Sequence, residues 1–201
     1  ETDAVEMSLL SKLGFDATTF GNHDFDIDAD ALANMYRAAA QNNSLLPSLV
    51  CCNIDWNYDN EYTKTVYEAA KLCNLNEYVL VTKGDFTIAI TGVFTKNAIL
   101  DSPTCKLHFL DQVESLKRVV ADIKANTNAD MIVCVSHGGT SENFEESADE
   151  QIALAIPELD VIVSGHSHTV LKEPKIVGDT HIVSCGCYGL YVGDCILAQK
   201  E

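Results

Sequence analysis

Four of the six histidines in this sequence fall in three short segments that also contain glycine. The segments read GNHD at residues 21–24, SHGG at 136–139 and SGHSH at 164–168. Imidazole nitrogens combined with a side-chain amide oxygen suit divalent zinc, manganese, cobalt or iron better than calcium or magnesium, which prefer oxygen ligands. Adjacent glycines let the backbone approach an ion or a phosphate closely. The pattern therefore indicates a transition-metal site, with hydrogen-bonded surface loops as the alternative.

The elements that must position these segments alternate between strands and helices. Apolar patterning predicts strands at 17–20, 49–54, 78–82, 87–94, 131–135, 161–163, 181–184 and 191–198, and helices at 4–13, 29–40, 110–125 and 146–156. Residues 83–86 indicate a hairpin turn, and residues 56–77 are interpreted as an insertion. Several strands are apolar throughout, which is typical of parallel strands covered on both faces. We therefore expect a layered α/β fold in a single domain, residues 1–201.

Each histidine segment directly follows a predicted strand, at Phe20, Val135 and Val163. Ligand sites in open α/β sheets lie at the carboxyl ends of the strands. We therefore expect the three segments to meet at one edge of the sheet. This shared placement, more than any single motif, favours a site over three unrelated surface loops.

Composition and charge exclude several classes of protein. The chain has 201 residues, of which 47% are hydrophobic, so it can bury a core and is not expected to be disordered. Its formal net charge of -17 repels nucleic acid and anionic membranes. No apolar run approaches the roughly 20 residues that cross a bilayer. We expect neither a nucleic-acid partner nor a membrane span.

The eight cysteines would suit either four disulfides or none. Cys51, Cys134 and Cys195 lie in apolar runs, where cysteine usually behaves as a small buried hydrophobic residue. Reduced thiols are therefore the preferred interpretation, and they would fit the cytoplasm. No Cys-x-x-Cys pair occurs, so a zinc knuckle is not expected.

The three segments, extended to GNHDFD at 21–26 and GHSHT at 165–169, resemble the later metal-binding blocks of calcineurin-like metallophosphoesterases. The run LGFDA at 13–17 makes the sequence similar to the 5′-nucleotidase branch of that family. The resemblance extends from about Met7 to Gly193. It implies an α-β-β-α sandwich of two sheets with outer helices, and a pair of metal ions held at strand ends.

The resemblance also implies a role for each residue at a matching position. Asn22, His137 and His166 would bind one metal, and His168 would help to bind the other. His23 would act as the catalytic proton donor to the phosphate or leaving group, with Asp26 as its acidic partner. Asn22 and His23 would contact the substrate. A carboxylate beside an imidazole raises its pKa and orients the ring, as a proton donor near neutral pH requires.

This sequence departs from the family pattern at both ends. The first two family blocks, an Asp-x-His and a Gly-Asp whose aspartate bridges the metals, have no counterpart before Gly21. The nucleoside-binding domain that follows the catalytic domain in 5′-nucleotidases is also missing. We therefore expect a catalytic domain that is incomplete at its N-terminus. Its unpaired sheet edge could form a homodimer.

The function implied by the resemblance is hydrolysis of phosphate monoesters, above all nucleoside 5′-monophosphates, by two divalent transition-metal ions. The partner would then be a small-molecule phosphate ester. The alternative is a fragment without catalysis that serves as an interaction module or binds a single metal. Relatives of this kind are often extracytoplasmic, which stands against the cytoplasmic location that reduced cysteines would suit.

Overall fold

The computed structural model describes residues 4–42 and 45–196. The helices are α1 (Val5–Leu13), α2 (Ala29–Asn42), α3 (Glu61–Ala70), α4 (Lys96–Leu100), α5 (Gln112–Asn126) and α6 (Ala148–Ala155). The strands are β1 (Ala17–Thr18), β2 (Ser48–Leu49), β3 (Tyr78–Lys83), β4 (Phe86–Phe94), β5 (Met131–His137), β6 (Val161–Ser164), β7 (Lys175–Val177) and β8 (Thr180–Val183). The predicted alternation of strands and helices is confirmed.

Six strands form the larger sheet in the order β3-β4-β5-β6-β8-β7. The inner neighbours from β4 to β8 pair in parallel, while β3 and β7 are antiparallel edge strands. The carboxyl ends of β4, β5, β6 and β8 therefore lie at the same edge of the sheet. The predicted hairpin at residues 78–94 is the β3–β4 pair. Dimerisation through an exposed sheet edge stays a prediction.

The smaller sheet, β1 paired in parallel with β2, lies directly against β4. The chain after β2 joins the larger sheet where the Cys52 N–H donates to the Gly92 carbonyl at 2.9 Å. A Cβ atom at Gly92 would lie 2.1 Å from the Val50 carbonyl oxygen, well inside van der Waals contact. Glycine is therefore required where the two sheets approach.

Two clusters of buried side chains hold the layers together. The first lies among α1, α2, α3 and the segment around β2, and its large members include Phe20, Phe25 and Tyr36. The second lies between the larger sheet and helices α5 and α6, with Leu116 and Ile162 fully buried. Helices thus cover both sides of the sheets, as expected for an α-β-β-α arrangement.

Helices α2 and α5 begin where the sequence supplies a capping side chain. Asp28 accepts a hydrogen bond from the Ala31 N–H at 2.9 Å ahead of α2. Asp111 accepts hydrogen bonds from the Val113 and Glu114 N–H groups at the start of α5. Such caps satisfy backbone donors that have no partner within the helix. Within the described residues, the helices are too short or too polar to cross a membrane.

The structure corrects the prediction for residues 191–198. No strand forms over residues 191–196, and residues 197–198 lie outside the described part of the chain. The alternation there does not match burial, because Tyr191, Val192 and Ile196 are all exposed. Residues 56–77, interpreted as an insertion, contain α3, which buries Val66 and Ala69 in the first cluster.

The eight cysteines are free thiols. Cys51, Cys52, Cys73 and Cys134 are buried, which agrees with their predicted hydrophobic role. Burial raises the pKa of the Cys51 thiol to about 12. A thiol in that environment stays protonated at neutral pH and is unreactive.

The end of β4 depends on the buried side chain of Asn53. Its amide donates to the Phe94 carbonyl at 2.8 Å, and its Oδ1 accepts from the Phe94 N–H at 3.1 Å. Asn53→Ala should lower the free energy of unfolding by about 2 to 4 kcal/mol, because both backbone groups would stay buried without partners. Chemical denaturation measures this. Exposed Asn57→Ala is the control, and an Asn53→Ala loss no larger than the control's would contradict the interpretation.

Candidate functional site

Two of the three predicted loops are tied together at the carboxyl edge of the larger sheet. Strands β5 and β6 pair as far as Ser136 and Ser164. The Gly165 N–H then donates to the Ser136 carbonyl at 2.8 Å. Beyond it, the Thr140 N–H donates to the Ser167 hydroxyl at 3.1 Å. These bonds fix the loop after β5 relative to the loop after β6.

The third loop forms a 3₁₀ turn, Asn22–Phe25, after β1. The Asp24 carboxylate accepts a hydrogen bond from the Gly21 N–H at 2.7 Å. Burial raises the pKa of Asp24 to about 6, against the lowering effect of that N–H. Phe25 anchors the turn in the first cluster by stacking on Phe20, with ring centroids 5.7 Å apart. The turn is therefore held by a cap at its start and by packing at its end.

Asn22, His137 and His166 converge on one point. Nε2 of His137 lies 2.8 Å from Oδ1 of Asn22, and Nδ1 of His166 lies 3.3 Å from the same oxygen. The two imidazole centroids are 5.1 Å apart. Asn22 is only 9% exposed, so its amide is shielded from solvent. The three residues that the resemblance assigned to one metal thus share one small volume.

Glycines and an aromatic ring shape the space around His137. The His137 ring lies nearly parallel to Phe94, with centroids 5.9 Å apart and an interplanar angle of 7°. A Cβ atom at Gly21 would lie 3.1 Å from Cε1 of His137, and one at Gly165 would lie 3.2 Å from its Nδ1. The glycines therefore let both neighbouring loops close on the imidazole.

The environment lowers the pKa of His137 to about 4. Burial is the largest cause because it penalises the imidazolium form, and the charges of His166, His23 and His168 act in the same direction. Burial also lowers the pKa of His166, while the Asp101 carboxylate opposes that shift. His137 is therefore neutral at physiological pH, which is the form that binds a metal.

His23 and Asp26 form an exposed pair beside this group. Nδ1 of His23 lies 2.8 Å from Oδ2 of Asp26, and the side chains are 77% and 58% exposed. The contact is the one that the predicted catalytic dyad requires. With Nδ1 turned to the carboxylate, Nε2 is the ring nitrogen that can exchange a proton with a substrate.

His168 stands apart from the converging group. Its ring lies 5.5 Å from that of Tyr188 in an edge-on contact. Among the described residues it makes no hydrogen bond to Asn22, His137 or His166, although its charge affects both of those histidines. The predicted role of His168 at a second metal stays a prediction.

Sequence reasoning missed Asp101, which follows α4. Its Oδ2 lies 3.4 Å from Nε2 of His166, on the opposite side of the ring from the contact with Asn22. A carboxylate in that position orients the ring and favours one tautomer. No local motif marks Asp101, because only the fold brings it to the histidine.

The donor set fits one divalent transition metal. Within residues 4–42 and 45–196, no cluster of three or more His, Cys, Asp or Glu side chains could hold a metal ion. The converging set instead combines two neutral imidazoles with the Asn22 carboxamide, which leaves coordination positions for water or substrate. A second ion would need ligands beyond this set.

Comparison with known proteins identifies the family. A family model described as calcineurin-like phosphoesterase matches residues 4–170, a span that contains all three loops. The chain belongs to the calcineurin-like phosphoesterase family. The resemblance drawn from the sequence motifs is confirmed. Family membership supports phosphoester hydrolysis and a dependence on metal ions.

Individual relatives agree with this membership of the calcineurin-like phosphoesterases. A 5′-nucleotidase of Vibrio cholerae is 30% identical over 210 residues, covering 92% of this chain and 35% of that protein. A 5′-nucleotidase of Bos taurus is 30% identical over 164 residues, covering 81% of this chain and 25% of that protein. The chain spans about a third or less of the length of these relatives.

A solved structure confirms the fold expected for this family. The crystal structure of a 5′-nucleotidase precursor from Thermus thermophilus superposes with a TM-score of 0.66 at 25% identity. The match covers 89% of this chain and 34% of that chain. The predicted α/β sandwich is therefore confirmed.

We expect His137 to make folding stability depend on pH. Its pKa is about 4 in the folded chain against an ordinary value of 6.5, so the stability linked to the neutral ring is present above pH 6.5 and is lost as the pH falls through 4. Relative to His137→Gln, the wild-type chain should lose roughly 1 to 3 kcal/mol of unfolding free energy between neutral pH and pH 4. Chemical denaturation in EDTA measures this loss.

The comparison with His137→Gln also controls for the other titrating groups of the chain. Asp24, for example, has a raised pKa, so its stabilising effect is lost as the pH rises and has the opposite sign. Taking the difference between the two proteins removes that contribution. A difference that stays constant over the acid range would contradict the argument from burial.

Proposed function

We propose that the protein hydrolyses phosphate monoesters with the help of bound divalent metal, and that nucleoside 5′-monophosphates are its main substrates. The observation that carries the proposal is the convergence of His137 Nε2 and His166 Nδ1 on Asn22 Oδ1. The names of the Vibrio cholerae and Bos taurus relatives support the nucleotide substrate. Residues 1–201 would form part of a single catalytic domain.

Asn22, His137 and His166 would hold one metal ion in this proposal. When bound, such an ion supplies positive charge that attracts the phosphate, and as a Lewis acid it lowers the pKa of bound water. This matters because the chain has a net charge of -17 and would otherwise repel an anionic substrate. Asp101 would keep the His166 ring in the orientation that turns Nδ1 towards the ion.

His23 would donate a proton to the leaving-group oxygen as the phosphate ester breaks. Its contact with Asp26 leaves Nε2 as the donor, and the carboxylate holds the ring in that orientation. Asn22 and His23 would both contact the substrate phosphate, because Asn22 is part of the converging set and His23 lies close enough to affect the charges of His137 and His166. His168 would contribute to a second ion, completed by ligands beyond the converging set.

The dyad can be tested by comparing two exposed His–Asp pairs. His23→Asn should lower kcat for release of phosphate from a nucleoside 5′-monophosphate with added Mn²⁺ by about 100-fold or more, because the leaving oxygen loses its proton donor. His108→Asn is the matched control, since His108 also pairs with a carboxylate, Asp55, at 3.3 Å. Equal activity of the His23 and His108 variants would contradict the role of His23.

Metal-dependent release of phosphate separates the proposal from its non-catalytic alternative. The non-catalytic alternative predicts at most one bound ion in the 201-residue chain and no phosphate release under any metal loading. The proposal predicts phosphate release that depends on added Mn²⁺ and disappears in EDTA. A chain that binds one ion and releases no phosphate would favour the single-metal module.

A further inference from the structure

A buried carboxylate lies beneath the histidine loops and takes no part in the site described above. Asp149, near the start of α6, is fully buried. Its Oδ1 accepts a hydrogen bond from the Ser136 hydroxyl, and Ser136 directly precedes His137. Its N–H donates to the Gly139 carbonyl at 3.2 Å. Asp149 therefore contacts the His137 loop both before and after the histidine.

The backbone of that loop packs directly on the carboxylate. A Cβ atom at Gly138 would lie 2.4 Å from Cγ2 of Thr95, 2.9 Å from Oδ1 of Asp149 and 3.0 Å from Oγ of Ser136. A side chain at this position would therefore displace the loop from both Thr95 and the carboxylate.

The carboxylate is connected to the loop that carries His166 through Ser136. Strand β6 pairs with β5 as far as Ser136 and Ser164, and the Gly165 N–H donates to the Ser136 carbonyl at 2.8 Å. Among the described residues, Oδ2 of Asp149 and Oγ of Ser164 are both buried without a hydrogen-bond partner. The contact between Asp149 and Ser136 therefore bears on the ends of both β5 and β6, from which His137 and His166 project.

Asp149 is costly to the folded chain. Burial raises its pKa to about 7, against the lowering effects of Ser136, Ser164 and the Gly139 backbone. The Lys175 ammonium group pairs with the neighbouring Glu150 instead. A buried carboxylate without a cation destabilises a protein relative to an apolar side chain of similar size. Its burial therefore requires the hydrogen bond that Ser136 donates.

We propose that Asp149 is a positioning residue that holds the ends of β5 and β6 so that His137 and His166 share one cation with Asn22. This inference rests on the proposed function, since it assumes that the three residues bind metal. Asp149 touches neither the metal nor the substrate. It acts through Ser136 and the Gly138–Gly139 turn.

Titration of the 201-residue chain with Co²⁺ alone, monitored by calorimetry and by visible absorption, tests the proposal. Asp149→Ala and Ser136→Ala should each weaken Co²⁺ affinity about 10-fold or more and alter the absorption bands, as loss of an outer-shell partner does at other metal sites. The double variant should bind Co²⁺ no more weakly than the weaker-binding single variant, because the two substitutions remove the same hydrogen bond. Asp149→Asn should bind within about 3-fold of wild type, since its amide oxygen can accept from Ser136.

Ile152→Val is the matched control for a general loss of stability. Ile152 lies on the same helix and is fully buried in the second cluster. This variant should lower thermal stability and leave Co²⁺ affinity unchanged. If Ile152→Val weakens affinity as much as Asp149→Ala does, the positioning role is overturned.

The remaining outcomes distinguish this inference from the proposed function. If Asp149→Ala binds Co²⁺ with wild-type affinity, the positioning role alone is overturned. If Asp149→Ala does not fold, wild-type Co²⁺ affinity in Ser136→Ala overturns it instead. A wild-type chain that binds Co²⁺ but releases no phosphate overturns catalysis and leaves the positioning role supported by the affinity differences. A wild-type chain that binds no Co²⁺ overturns both.

Discussion

The structure is organised around one constraint, namely that two imidazole nitrogens and one carboxamide oxygen from distant parts of the chain must reach the same point. Asn22 reaches it on a 3₁₀ turn after β1, and His137 and His166 reach it from neighbouring parallel strands. Parallel pairing puts both strand ends at one edge of the sheet. The small sheet and the stacking of Phe25 on Phe20 bring the turn to that edge, and the hydrogen bonds between the other two loops hold His137 and His166 together.

Burial shapes the charge of the site in two opposite ways. His137 and His166 are pushed towards their neutral form, while Asp24 and Asp149 are pushed towards their protonated form. The immediate surroundings therefore carry less charge than the sequence suggests, although the chain as a whole is strongly acidic. In the proposed function, positive charge for an anionic substrate would come from bound ions.

The sequence was informative where local patterns decide structure. The hairpin at 78–94, the cap at Asp28 and helix α5 follow from short-range signals, and the histidine loops were located because each follows an apolar run. The strand predicted at 191–198 shows the limit, since residues 191–196 pair with no neighbouring strand in the described part of the chain. Asp101 and Asp149 could not be found from the sequence, because their contacts with the site exist only after the strands and helices pack.

The contact between the two sheets at Gly92 has a consequence for substitutions far from the converging side chains. A Cβ atom at Gly92 would also lie 3.0 Å from the Thr19 hydroxyl, two residues before Gly21. Enlarging residue 92 would therefore displace the strand that leads to Asn22, while the larger sheet keeps His137 and His166 in place. In a saturation survey of the gene, position 92 would score like a ligand, although it touches no ion. Sensitivity to substitution at such a contact reflects the packing of the two sheets and does not identify a metal ligand.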